Sequence, residues 1–252
     1  MKEIIKSIRY HKNILLFLDY DGTLVPIKRR PELALLHPWR RRILINLSEK
    51  VFLSIVSGRS LPELRILVGI DNIAYIGNHG MEIYLDDKYW IHPKAETIKL
   101  LLKDSLRSIE QKTGDFKGIF IEDKGLTGSI HYRLLAPGKR DKLKDIINEE
   151  IRTTEGLLRI AEGKMVYEIR PNVEWDKGKG VKELIRWLDL KEEPLRIYIG
   201  DDITDEDVFR VLGKDDLTIL VGNRKDSNAL HRLKDIKEVW RFLRELNKIL
   251  AT

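Results

Sequence analysis

The chain has 252 residues, 42% hydrophobic and 34% charged, with a net charge of +6 and no cysteine. That is the composition of a soluble globular protein, long enough for one large domain or a core with a smaller companion; it excludes disulfides, thiol chemistry and a disordered chain. No apolar stretch reaches membrane-spanning length, and Met1 to Lys6 mix charge into every turn where a signal peptide would be apolar, so a cytoplasmic protein without a membrane partner is expected.

The opening apolar run, Ile14 to Leu18, ends abruptly at Asp19-Tyr20-Asp21-Gly22-Thr23. A short run apolar throughout predicts a strand buried on both faces of a parallel sheet. If the chain stays extended to Asp21, Asp19 and Asp21 point the same way, and two such carboxylates repel unless a cation or a proton lies between them. Asp-Gly after a strand is also ordinary turn chemistry, so the pair acquires meaning only from its neighbours. A loop punctuated by Pro26 and Pro31 follows, then a helix from Trp39 to Glu49 opened by Pro38. A strand over 51–56 stops at Ser57-Gly58-Arg59-Ser60. Ser60 is placed to cap a short helix reaching Leu67, and a third strand, 73–76, stops at Gly77-Asn78-His79-Gly80. Strands and helices alternating over short connections predict an α/β fold with a parallel sheet.

The rhythm then changes. A helix over 93–113, strands at 118–123 and 129–134, a helix over 139–152 and a hairpin over 157–170 turning at Glu162-Gly163-Lys164 read as α-ββ-α-ββ. That order predicts an antiparallel sheet with helices on one face, a separate α+β unit. The α/β rhythm resumes with a helix over 179–188, a strand over 195–199, a helix over 204–212, a strand over 217–221 and a closing helix over 236–250. The expected organisation is a core of 1–82 with 172–252, into which an α+β unit of 83–171 is inserted.

The positive charge is spread, +2 over residues 83–171 and +4 over the rest, with acids interleaved. Only Lys28-Arg29-Arg30 and Arg40-Arg41-Arg42 cluster, the second in a helical pattern that makes it a solvated face. Nucleic acid is therefore not an expected partner, whereas a small anionic molecule is.

Ligands of open parallel sheets bind at the carboxyl ends of the strands. There the sequence offers Asp19 and Asp21, Ser57, and the run Gly200-Asp201-Asp202-Ile203-Thr204-Asp205-Glu206, while Lys177 lies beside Gly178 and Gly180 at a helix start that favours anions. Together these form an oxygen cage for a hard cation and a phosphoryl group. Asp205 and Glu206 read instead as a solvated helix cap. With oxygen ligands and no cysteine, magnesium fits better than zinc.

Asp19-x-Asp21-Gly22-Thr23, Ser57, Lys177 and Gly200-Asp201-Asp202 resemble, in order, the four motifs of the haloacid dehalogenase-like (HAD) phosphatases. Within that superfamily the chain is similar to the trehalose-6-phosphate phosphatases. The similarity runs through Val56-Ser-Gly-Arg-Ser60, Asn78-His-Gly80, Glu122-Asp-Lys124, His131-Tyr-Arg133, Glu168-Ile-Arg-Pro171, Trp175-Asp-Lys-Gly178 and Gly200-Asp-Asp-Ile-Thr-Asp-Glu206. The resemblance implies a HAD-like, Rossmann-like core with an α+β cap that keeps water out. It implies hydrolysis of trehalose 6-phosphate with Asp19 as nucleophile and Asp21 as general acid and base, Ser57 and Lys177 holding phosphoryl oxygens. It also implies magnesium on Asp19, the Asp21 carbonyl and Asp201, with Asp202 ligating it or ordering a water.

Gly58 and Arg59 are implied substrate-side residues, and Glu122, Lys124 and Glu168 are tipped towards sugar hydroxyls. His131, Arg133 and Lys164 read as ordinary hairpin decoration. His79 is a substrate contact or a structural hydrogen-bonding group. Rival readings are a phosphatase of sucrose phosphate or of a mannosyl- or glucosyl-phosphoglycerate, or an inactive sugar-phosphate sensor. A monomer is expected, with a trehalose-phosphate synthase as a functional rather than covalent partner.

Overall fold

In the computed structural model, which describes residues 4, 5, 8, 11–28, 31–163 and 165–250, the first α/β stretch runs β1 (Ile14–Asp19), α1 (Pro38–Ser48), β2 (Phe52–Val56), α2 (Leu61–Val68), β3 (Ala74–Gly77), β4 (Glu82–Leu85) and β5 (Lys88–Ile91). The insertion contributes α3 (Pro93–Thr97), α4 (Lys99–Lys112), β6 (Phe120–Asp123), β7 (Gly128–His131), α5 (Arg140–Arg152), β8 (Leu158–Gly163) and β9 (Val166–Pro171). The chain closes with α6 (Lys177–Trp187), β10 (Leu195–Gly200), α7 (Glu206–Val211), β11 (Leu217–Val221), β12 (His231–Leu233) and α8 (Ile236–Ile249). Arg29, Arg30, Lys164 and most of Met1 to Lys6 lie outside the described residues.

The larger sheet has the order β12-β11-β10-β1-β2-β3-β4-β5 and is parallel from β12 to β3. β1 is buried along its whole length between β10 and β2, which explains its unbroken apolar sequence. Its side chains alternate between two cores. Leu16 and Leu18 join the layer of Leu44, Leu47, Phe242 and Leu243; Leu15 and Phe17 join that of Val181, Leu184, Tyr198 and Phe209. Asp19 continues the second series, so period two aims it at the side of the sheet covered by α6.

The described chain divides into two compact units, Met1–Trp90 with Trp175–Thr252, and Ile91–Glu174. The sequence had suggested 82/83 and 171/172. The leading difference comes from β4, which folds back antiparallel on β3 (Tyr75 opposite Tyr84) and with β5 extends the core sheet. In the second unit β6-β7-β9-β8 form an antiparallel sheet. Leu102, Leu106 and Ile109 of α4 and Leu143 and Ile147 of α5 pack with Ile130, Leu158, Tyr167 and Ile169. The helix expected over 93–113 is interrupted at Ile98, and the one expected from Thr204 begins with a 3-10 turn, Ile203–Asp205.

Candidate active site

β2, β1 and β10 end side by side, so Ser57, Asp19 and Asp201 meet at one edge of the sheet. Asp176 caps α6 by accepting the Lys179 amide at 2.8 Å, which makes Lys177 the first helical residue and turns it inward. Its ammonium donates to Asp19 Oδ1 at 2.8 Å and to Asp205 Oδ1 at 2.7 Å, all three groups being buried. One oxygen from each of Asp19, Asp201 and Asp205 lies within 4.8 Å of the others.

Asp205 is therefore not the solvated cap the sequence suggested. It is fully buried, and besides Lys177 it accepts the Tyr198 hydroxyl at 2.6 Å and the Asp202 amide at 2.9 Å. Glu206 is buried too, accepting the backbone and side-chain amides of Asn228 at 2.8 and 2.9 Å and pairing with Arg224. The 3-10 turn Ile203–Asp205 brings Asp205 back against Gly200, where a Cβ would meet its carboxylate. Asp202 itself is exposed; the cluster takes Asp205 in its place.

Three clustered carboxylates against one ammonium leave an excess negative charge. Burial, with Asp205 and Asp201 behind it, raises the Asp19 pKa well above the usual carboxylate range despite Lys177, and burial together with Asp205 pushes Asp201 up to about 7. Burial works against the Lys177 charge, but Asp19 and Asp205 outweigh it and keep the group an ammonium. Asp19 Oδ2 is buried with no donor reaching it among the described residues. A Cβ at Gly22, where φ is +86°, would run into the Asp201 carboxylate. An unpartnered oxygen, surplus negative charge and a cradle kept clear by glycine all fit a hard divalent cation held by oxygen ligands.

Asp21 is not one of the three carboxylates in that cluster. β1 ends at Asp19, and the chain turns as the Leu24 amide donates to the Tyr20 carbonyl at 2.9 Å. The Asp21 carboxylate is gripped by Arg59, Nε donating to Oδ2 at 2.6 Å and Nη2 to Oδ1 at 2.9 Å; Arg59 is itself fixed by Glu63 and the Pro31 carbonyl. Ser57 is buried, its hydroxyl accepting the Arg59 amide at 3.2 Å. The 77–80 turn laces onto this loop: His79 donates its amide to the Ser57 carbonyl at 3.1 Å, and its ring occupies the space a Cβ on Gly58 would need. Buried Glu82 anchors the turn through Asn78 Nδ2 at 2.7 Å and the Leu61 amide at 2.8 Å, a bracing that sequence reading had missed.

In the second unit, register places Glu122, Ser129 and Glu168 in one row across β6, β7 and β9. They alternate with Ile121, Ile130 and Ile169, which face α4 and α5. Lys124 Nζ stands 3.9 Å from Glu122 and 3.8 Å from Glu168. His131 is 3.2 Å from Glu122, and Arg170 Nε donates to Glu168 at 2.9 Å.

The trehalose-phosphatase family model matches residues 17–237, which takes in both units and every residue of the cluster. The chain belongs to the trehalose-phosphatase family. Trehalose-phosphate phosphatase B of Arabidopsis thaliana is 32% identical over 93% of the chain, which spans 66% of that relative's length. The trehalose-phosphate phosphatase of Mycobacterium bovis (strain BCG / Pasteur 1173P2) is 35% identical over 84% of the chain, covering 54% of its own length. A crystal structure of a trehalose-6-phosphate phosphatase related protein superposes with a TM-score of 0.84 at 28% identity, covering 94% of this chain and 98% of that one. That likeness carries the HAD-like architecture for this family member, a parallel-sheet core with an inserted α+β unit. Asp205 could have been found from the sequence by asking which acid falls within one short turn of Gly200-Asp201.

Proposed function

We propose that this chain hydrolyses trehalose 6-phosphate to trehalose and orthophosphate, with magnesium as its cation and an aspartyl phosphate as intermediate. The observation that carries the reading is Asp19: one carboxylate oxygen is fixed by Lys177 and the other is buried without a donor, a nucleophile oriented and left open. The Asp19 carboxylate attacks phosphorus in line, a new P–O bond forming as the bond to the sugar oxygen breaks. Asp21 gives that departing oxygen a proton, then takes one from the water that attacks the aspartyl phosphate, releasing phosphate and restoring Asp19.

Lys177 and Ser57 hold phosphoryl oxygens, and the ammonium offsets their charge as Asp19 approaches. Asp19, the Asp21 carbonyl and Asp201 would hold the cation, with Asp202 ordering a water; when bound it screens nucleophile from phosphate and polarises the phosphoryl oxygens. Arg59 orients Asp21, and Gly58 and His79 line the substrate side of Ser57. Glu122, Lys124 and Glu168 supply both acceptors and donors for sugar hydroxyls.

Phosphate release is measured from trehalose 6-phosphate, sucrose 6-phosphate, glucose 6-phosphate and the two glycosyl-phosphoglycerates. A clear preference for trehalose 6-phosphate is expected; equal turnover of all, or preference for a phosphoglycerate, removes the assignment. Asp19→Asn should abolish release while the circular dichroism and melting temperature are retained.

A further inference from the structure

Three carboxylates could hold a cation at this site, yet their surroundings are not equivalent. Asp19 Oδ2 has no donor among the described residues, whereas three donors reach Asp205. Its Oδ1 takes both the Lys177 ammonium at 2.7 Å and the Tyr198 hydroxyl at 2.6 Å, and its Oδ2 takes the Asp202 amide at 2.9 Å. An sp2 oxygen offers two lone pairs, so both on Oδ1 are in use. Oδ2 packs against Gly200, where a Cβ would run into the same carboxylate.

Tyr198 and Gly200 stand two apart on β10 and share a face, so the missing side chain at 200 opens the space through which the phenol reaches Asp205. The ring is fully buried and meets Phe209 edge-on with centroids 5.7 Å apart, which fixes the direction of its hydroxyl. A donor aimed from a rigid strand at an oxygen that also holds the ammonium sets where that ammonium can sit.

We propose that Tyr198 is a positioning residue, whose hydroxyl together with the Asp202 amide locks Asp205 as the anchor of Lys177 and keeps it from ligating the cation. Lys177 then spends two of its three N–H donors on Asp205 and Asp19, leaving the third for a phosphoryl oxygen. Only the kinetic half of the test rests on the phosphatase reading above; the cation-binding half stands without it.

The test uses Tyr198→Phe, Asp205→Asn, their double variant and Asp201→Asn in the full chain. Calorimetric titration with magnesium alone should give Tyr198→Phe and Asp205→Asn affinities within about threefold of the parent, while Asp201→Asn loses binding by at least about tenfold, the scale of one charged hydrogen bond or more. In steady-state hydrolysis of trehalose 6-phosphate, Tyr198→Phe should lower kcat roughly tenfold to hundredfold with KM within about twofold, because a misplaced ammonium is felt most in the transition state. The double variant should be no worse than Asp205→Asn alone, since both act through one group. Asp205→Asn weakening magnesium as much as Asp201→Asn would make Asp205 a ligand and overturn the proposal. So would an unchanged kcat in Tyr198→Phe, or losses that multiply in the double variant. A parent that binds magnesium but releases no phosphate from any ester would count against the proposed function and leave the cation comparison to decide the role of Asp205.

Discussion

Both units hold one lysine between two acids, and the two trios differ in everything but composition. Lys177 is buried with Asp19 and Asp205 at 2.8 and 2.7 Å, while Lys124 stands 3.9 and 3.8 Å from Glu122 and Glu168 in a more open setting. The first is a set of charge-assisted hydrogen bonds out of reach of water; the second leaves separations that a sugar hydroxyl can bridge. They also differ in what remains when the lysine goes. Glu122 retains His131 and Glu168 retains Arg170, but Asp19 has no other donor among the described residues.

Removing each lysine breaks the comparison most directly. Lys177→Met should lower stability by about 3–5 kcal/mol in denaturant unfolding without added cation, since a buried carboxylate loses its counter-charge, and should abolish phosphate release. A loss below about 1 kcal/mol would mean that the core trio is no more coupled than a surface pair.

The proton content of the acidic cluster beside Lys177 sharpens the contrast. Burial and Asp205 hold Asp201 near 7, above the unfolded value of about 3.9, so between these limits the native state carries the extra proton. In chelator, this group's contribution to stability is fully present below the unfolded value and is lost as pH rises through about 7. Asp201→Asn should flatten the fall in stability between pH 4 and 7 measured by urea unfolding; an unaltered slope refutes the assignment.

The smallest effect belongs to the second unit. Lys124→Ala should raise KM for trehalose 6-phosphate roughly tenfold, as for loss of one charge-assisted contact, with kcat little changed and stability within about 1 kcal/mol of the parent. A fall in kcat with KM unchanged would take Lys124 out of sugar binding.

Much of this was legible along the chain because period and punctuation are local. The run Ile14 to Leu18 reads as a doubly buried strand, and the second segment's α-ββ-α-ββ order reads as a separate α+β unit. The rest was not legible. β4 and β5 mix Glu82, Lys88 and aromatics in runs too short to show a period, and β12 is three residues long; each is a strand only because a partner edge was already in place. The sequence leaves open whether the chain stays extended to Asp21; β1 ends at Asp19, and Arg59, from a distant loop, grips the Asp21 carboxylate.

By itself the sequence determined the alternation of strands and helices, the inserted unit, and the set of acids, hydroxyl and lysine standing at strand ends, because each depends on residues close together in the chain. Tertiary structure alone decided which acids share the buried cluster: Asp205 enters and Asp202 stays outside. That choice depends on Tyr198 and Lys177 arriving from separate elements to satisfy a carboxylate buried away from water.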